Sequence, residues 1–448
     1  MTLVQLVQLL ALRRKIHSHD RWSREDLKRH QDKELKALRE YAYSNSPFYK
    51  EFHKGLTESP LEELPVLTKA KLMENWDKIV TDRSLRLSDV QDFIKSMKEV
   101  NRINGKYYVS STAGSSGLKG IFVYDPKEWT SILASNARAN DWAGVKAGLT
   151  KRLKVAVVST TTPWHQSAVV GASLNSRFVE TLRIDSTNSI ESIVERLNGF
   201  QPRSLASYAG MARTLALEQV EGRLNISPEA VFCASEVLTE DTRKLIRKAW
   251  KQDPINVFAA TETAGIASEC RMHHGLHIYE DMVILEAVNE NNEAVKPGEF
   301  SDKILVTVLF SRTLPLIRYE LSDSIRISKD GLKTDLPFTT QDEVQGRMEE
   351  VIKLEGRSGA PVRIHPNFFH NHMEAFPVKG WQIVQEPNNT IRVLVVGPSD
   401  DFLDSNLIGA LSDALIGQNV RTPTVQVERV QSLAHSQLGK TFLIKALR

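Results

Sequence analysis

Apolar positions divide this chain into three stretches of different character. Residues 20 to 100 read as helical and charged: Trp22 to Tyr43 is rich in helix formers, and Pro60 and Pro65 punctuate the linker that follows. From about 107 to 310, β-branched runs alternate with helical stretches. The runs are Lys154–Val158, Ala230–Cys233, Ile255–Phe258 and Ile304–Leu309, and the helices include Ser189–Leu197 and Glu240–Lys251. Such alternation predicts an α/β domain with largely parallel sheets. Beyond Gly346 the pattern shortens to a strand near Ile391–Val396, a helix near Leu403–Ile416 and a strand near Thr424–Val430, an α+β unit. The expected division is a large N-terminal domain over 1–345, its first 100 residues a helical cap, and a small C-terminal domain over 346–448.

The extreme N-terminus, Thr2 to Leu12, is an apolar run followed by Arg13-Arg-Lys15. The charges lie on the wrong side for a signal peptide, and Gln5 and Gln8 interrupt a run already too short to cross a bilayer. An amphipathic helix packed on the protein is the expectation, with a membrane-surface or partner-docking role as the alternative. No other segment suggests a transmembrane span.

Composition adds bounds rather than a function. A chain of 448 residues with 41% hydrophobic content can bury one large core and a smaller one, consistent with two domains. The net charge of +3 comes without a dense basic run interleaved with aromatics, so nucleic acid is not an expected partner. Two cysteines, Cys233 and Cys270, are too few for a disulfide scaffold and fit a reducing cytoplasm. Cys270-x-x-His273-His274-x-x-His277 lacks the second cysteine pair that would make its spacing specific for zinc. Repeats and low-complexity tracts are absent, as are Gly-x-Ser-x-Gly, His-Glu-x-x-His and Gly-x-Gly-x-x-Gly motifs.

The chemistry starts at Val109-Ser-Ser-Thr-Ala-Gly-Ser-Ser-Gly-Leu-Lys-Gly-Ile-Phe-Val-Tyr124. Gly114 and Gly117 permit turns that a side chain would block, and Ser111, Thr112, Ser115 and Ser116 offer hydroxyl and amide donors to anionic oxygens. The spacing is not that of a Walker loop, and the loop runs into a strand rather than a helix. Downstream follow Ala234-Ser-Glu236, Phe258-Ala-Ala-Thr-Glu262, Leu316-Ile-Arg-Tyr-Glu-Leu-Ser-Asp323, Gly346-Arg-Met-Glu-Glu-Val-Ile-Lys353 and Gly439-Lys440. In this order they resemble the motif set of adenylate-forming enzymes. Within that superfamily the chain resembles the phenylacetate–CoA ligase family over nearly its whole length, including Ser46-Pro-Phe-Tyr49, Leu64-Pro-Val-Leu-Thr-Lys69 and Gly275-Leu-His-Ile-Tyr-Glu-Asp281.

The resemblance implies the adenylate-forming fold, with a small mobile C-terminal domain, and ATP- and Mg²⁺-dependent conversion of a carboxylic acid, aryl or arylacetic, to an acyl-adenylate. Transfer to a thiol, most readily CoA, would follow. Relatives of this architecture also pass the acyl group to amines or carrier proteins, or transfer AMP itself. A nucleotide-binding protein that has lost catalysis is the rival of another class. By resemblance the Gly114 loop holds the β- and γ-phosphates, with Lys119 an extra cation. Glu262 is the Mg²⁺ ligand and Thr261 contacts the α-phosphate. Asp323 accepts from the ribose hydroxyls, while Ser235, Glu236, Phe258 and Ala259 border the adenine. Arg347 lies near the nucleotide, Glu349 is the acidic hinge, and Lys440 is the candidate catalytic lysine, with Lys445 its nearest competitor. Trp164, His165, Tyr208 and Gly210 are the expected walls of the acid pocket. A homodimer is compatible with the resemblance. The chain departs from the family pattern at Leu118-Lys119, at Phe258-Ala-Ala, at Ser322 before Asp323, and in Ala434-His-Ser-Gln-Leu before Gly439-Lys440.

Overall fold

A computed structural model describes residues 3–112, 118–146, 152–329, 334–347, 350–364, 366–373, 376–433 and 443–447. Its largest sheet has nine strands. In spatial order they are Asp323–Ile327, Thr340–Arg347, His273–Ile278, Ala264–Cys270, Ile255–Ala260, Ala230–Ala234, Ser204–Tyr208, Leu153–Ser159 and Val179–Asp185. The last five of these run parallel. The crossovers between them are the helices Gln166–Leu174, Ile190–Phe200, Ala209–Val220 and Glu240–Trp250, the second and fourth matching the predicted Ser189–Leu197 and Glu240–Lys251. From Ile255–Ala260 the sheet continues antiparallel, through a tight turn at 261–263 into Ala264–Cys270 and onward to Asp323–Ile327. A second, antiparallel sheet joins Val283–Val288, Lys303–Val308 and Tyr319–Leu321.

Local sequence explains the element ends. Ser189 and Thr239 are the N-caps of their helices, accepting from the amides of Ser192 and Thr242. Asp125 and Glu128 form a reciprocal capping box, with Pro126 in the first turn, at the start of Pro126–Trp142. The carboxylate of Glu128 also takes the Arg312 and Thr313 amides. This buried side chain, its pKa raised chiefly by desolvation, therefore fastens the helix to a distant loop.

The N-terminal run forms the helix Leu3–His19, packed against Pro126–Trp142. Its end is anchored by a buried ionic knot: Asp281 takes Arg138 in a bidentate pair at 2.7 and 2.6 Å and His19 Nδ1 at 2.6 Å. Trp22 stacks on His19 with ring centroids 3.6 Å apart.

Residues 352–444 enclose their own apolar core, built on Ile383, Val393, Leu407, Leu411 and Leu415. Its sheet orders Thr424–Arg429, Thr390–Pro398, Val378–Glu386 and Ile444–Lys445, covered by Asp404–Gly417. Polar contacts tie this unit to the rest, among them Arg213 to the Lys379 carbonyl at 2.5 Å and Arg363 to Glu290.

Candidate active site

One cavity of about 770 Å³ opens at the C-terminal edge of the parallel strands. Ligand crevices of α/β sheets form at this edge, where strands end and loops diverge. Around that end stand Thr112, His165, Tyr208, Ser235, Ala259, Thr261, Glu262 and Asp323, eight of the residues singled out by sequence. They come from six separate segments, so the fold, and not chain proximity, assembles them.

Thr261 and Glu262 occupy the turn where the sheet changes from parallel to antiparallel, between paired Ala260 and Ala264. Tyr124 donates its hydroxyl to the Thr261 carbonyl at 2.5 Å, and Gln166 adds a second donor at 3.0 Å. The Glu262 side chain is buried at 5% exposure yet lines the cavity, with the Tyr319 hydroxyl 3.5 Å from Oε1. Burial, and then the nearby Glu262 charge, push the hydroxyls of Tyr124 and Tyr319 well above the usual tyrosine range. Two neutral tyrosines thus flank a carboxylate that faces open space.

The Gly/Ser loop leaves and re-enters an antiparallel pair, Tyr108–Ser111 with Ile121–Tyr124. Its base is pinned by two bonds: the Thr112 amide to the Gly120 carbonyl at 2.9 Å, and the Gly120 amide to Thr112 Oγ1 at 2.8 Å. Gly114, Ser115, Ser116 and Gly117 lie outside the described residues, as do Glu349 and Lys440. Lys119 is exposed, and Ser111, next to Thr112, is buried with its amide bonded to the Trp164 carbonyl at 2.9 Å. Trp164 is half-buried and stands outside the cavity lining, unlike His165, whose Nδ1 lies 2.9 Å from Ser167 Oγ.

Ser235 holds a left-handed backbone, φ +68°, at the end of its strand. That conformation is uncommon for a residue with a side chain and is concentrated at functional loops. Glu236 does not cap the helix that follows it, whose cap is Thr239. Instead it reaches across to the neighbouring helix, accepting the Gly210 amide at 2.7 Å, and so caps Ala209–Val220. Gly210 is half-buried at that helix start, outside the cavity lining, and Tyr208 contributes the wall. The Tyr208 hydroxyl accepts the Thr160 amide at 3.1 Å, and burial pushes its pKa up to about 12. Phe258 points the other way: its strand turns Val257 and Ala259 to the cavity and Phe258 into the main core. Of the pair expected to border the adenine, Ala259 lines the cavity and Phe258 does not.

Asp323 opens its strand directly opposite Arg347 in the ladder, bringing the backbone of the Gly346-Arg347 motif beside the Leu316–Asp323 motif. Arg318 is buried and stands outside the cavity lining. Its guanidinium holds the carbonyls of Glu62, at 2.7 Å, and Leu64, and pairs with Glu286. The backbone of Leu67 then pairs with Arg318 and Glu320, and two residues on Lys69 reaches the cavity lining. Lys69 was quoted in the N-terminal motif without a role. The signal that places it is a lysine opening a helix straight after the segment clamped by Arg318. Among the described residues no group of three or more His, Cys, Asp or Glu could hold a metal by itself.

No protein-family model matches the chain. Over 405 aligned residues, 86% of this chain and 82% of the relative, it is 23% identical to Protein CapK of Staphylococcus aureus. It is 24% identical over 442 residues to the phenylacetate–coenzyme A ligase of Thermus thermophilus, covering 95% and 93% of the two chains. Among solved structures it superposes on 2-hydroxyisobutyryl-CoA ligase in the postadenylation state with TM-score 0.72 and 16% identity, covering 95% of this chain and 91% of the other. Against the same ligase in the thioesterification state the score is 0.57, at similar coverage. The chain therefore has the fold of these CoA ligases.

Proposed function

We propose that this protein is an AMP-forming acid–thiol ligase, which joins a carboxylic acid to AMP and then passes the acyl group to CoA. The observation that carries the reading is the convergence of Thr112, Ser235, Thr261, Glu262 and Asp323 on one cavity at the sheet's C-terminal edge. The whole-length likeness to phenylacetate–CoA ligases supports it. In the first step a carboxylate oxygen bonds to the α-phosphorus of ATP, the bond to the β-phosphate bridge breaks, and pyrophosphate leaves. In the second, the CoA sulfur bonds to the acyl carbon, the mixed-anhydride bond breaks, AMP leaves, and the thiol proton passes to solvent.

Each residue has a task set by its chemistry. The buried, cavity-facing Glu262 fits a Mg²⁺ ion, because a hard cation shared with phosphate oxygens needs only one or two protein carboxylates. When bound, that ion neutralises phosphate charge. Thr261 addresses the α-phosphate from a turn held by Tyr124 and Gln166. Asp323 receives the ribose hydroxyls, Ser235 and Ala259 border the base, and Lys69 adds positive charge from the N-terminal side. The loop between Thr112 and Gly120 takes the outer phosphates. Residues 346–448 act as the small domain, turning about Glu349 and bringing Lys440 to the reacting carboxylate and α-phosphate. The resemblance favours an aryl or arylacetic acid.

Hydroxylamine trapping tests the reading without assuming an acceptor. Protein with ATP, Mg²⁺ and a productive acid should yield the acyl-hydroxamate in proportion to AMP released. ATP binding with no hydroxamate from any acid class would sink it and favour a nucleotide binder without catalysis.

A further inference from the structure

The cavity extends far beyond the nucleotide end, and it does so along the sheet. Leu153, Val155, Val157 and Ser159, alternate residues of one strand, all line it. Six steps at about 3.3 Å per residue make a passage of about 20 Å. On the adjacent strand Ser204, Ala206 and Tyr208 continue the same wall. The roof is Pro126–Trp142 and Gln166–Leu174, whose facing residues include Ala137 and Gly171. Ala137 and Gly171 leave space at this point of the roof that a larger side chain would take, while Leu133, Val170 and Leu174 of the same helices add apolar lining. The hollow shows in the burial itself: Val157, Ala206 and Val257 sit on inner parallel strands, usually buried on both faces, yet each is only half-buried.

The middle of the passage is apolar. Asn136 and Asn140 border it, but their amide groups donate to carbonyls of their own helix, Ile132 at 2.9 Å and Asn136 at 3.3 Å. The N-terminal helix also borders it, with Leu6 and Leu9 in the lining and Arg13 held to Asp141. The apolar run that sequence alone left without a task thus contributes to the cavity wall. A water-filled or empty apolar hollow of this length is destabilising unless an apolar ligand fills it.

We propose, building on the ligase reading above, that the acid is a long unbranched aliphatic chain, carboxylate at Thr261–Glu262 and tail running along the sheet face towards the helix Leu3–His19. An aryl or arylacetic acid would fill only the near part and leave the apolar length beyond it vacant. Ala206, midway along the floor, is the natural stop: a phenylalanine there would block the passage while leaving the nucleotide end untouched.

The test is acid-dependent ATP–pyrophosphate exchange with butyrate, octanoate, dodecanoate, hexadecanoate, benzoate and phenylacetate, beside direct calorimetric binding of dodecanoate without ATP. The expected result is a kcat/KM rising at least tenfold from butyrate to dodecanoate, with Ala206→Phe moving the optimum to shorter acids. Exchange that favours benzoate or phenylacetate and falls with chain length would overturn the tunnel and leave the ligase reading standing. Dodecanoate binding with no exchange from any acid would support the tunnel and remove the ligase reading. Neither binding nor exchange would overturn both. Because the wild-type chain-length profile decides the matter, a variant that fails to fold does not.

Discussion

Glu262 concentrates the chemistry at the scale of single residues. At 5% exposure its carboxylate faces a cavity between two tyrosines that burial, and then its own charge, keep protonated. On the proposed reading, a Mg²⁺ ion shared with the phosphates would bind this carboxylate. Glu262→Gln keeps the shape and removes the charge, so exchange should fall by about 100-fold or more, while urea unfolding shows the fold intact. Retention of exchange within a few-fold would take Glu262 out of the metal site. The pair Thr261-Glu262 was legible because it follows a β-branched run and strand ends in α/β sheets face ligands. Phe258, three residues earlier, was not, because a motif carries no record of which face each alternate side chain takes. Lys69 escaped for another reason: its position depends on Arg318 clamping Glu62 and Leu64, a contact between distant parts of the chain.

Among elements, the base of the Gly/Ser loop and the helix caps are where sequence and geometry meet. Thr112→Val removes the acceptor for the Gly120 amide at the loop base. The loss is expected to be about 1 kcal/mol of stability, with a several-fold rise in KM for ATP and little change in kcat. An unchanged KM would show that the pinned base does not set the loop. Glu236→Ala should cost about 1 kcal/mol in urea unfolding through the start of Ala209–Val220, as a lost cap does. The predicted strands and helices of the α/β region emerge with ends shifted by only a residue or a few, for instance Ile255–Ala260 against the expected Ile255–Phe258. Their periodicity and caps are local. The reversal to antiparallel pairing at 261–263 was not readable, since it depends on which strand Ala264–Cys270 meets. That Glu236 would cap Ala209–Val220 was likewise not readable, because sequence neighbours do not reveal spatial ones.

For the whole molecule, stability responds to pH through buried histidines and a buried carboxylate. Burial lowers His53 and His370 from 6.5 to about 4, so the unfolded chain takes up protons there that the folded chain refuses. Stability is therefore full above about pH 6.5 and falls as pH drops towards 4, with a slope approaching about 1.4 kcal/mol per pH unit for each histidine. Asp281 adds to this at lower pH: Arg138 and His19 hold it charged against burial, and its contribution is lost as pH falls below the ordinary carboxylate value of 3.8. Urea unfolding from pH 8 to 4 checks the window, and a flat profile would contradict it. Asp281→Ala, which strands the buried Arg138, is expected to cost about 3 kcal/mol or more. The separate core of 352–444 and its polar attachments suit a small unit that turns between half-reactions. Lys440→Ala should abolish adenylation while ATP still binds, and unaltered turnover would return that lysine to the solvent. The central claim, that this cavity joins a carboxylic acid to AMP, is tested most directly by ATP–pyrophosphate exchange with Mg²⁺ and no CoA. The account predicts exchange that appears only when a carboxylic acid is added. Bound ATP with no exchange, across aryl, arylacetic and aliphatic acids alike, would contradict it.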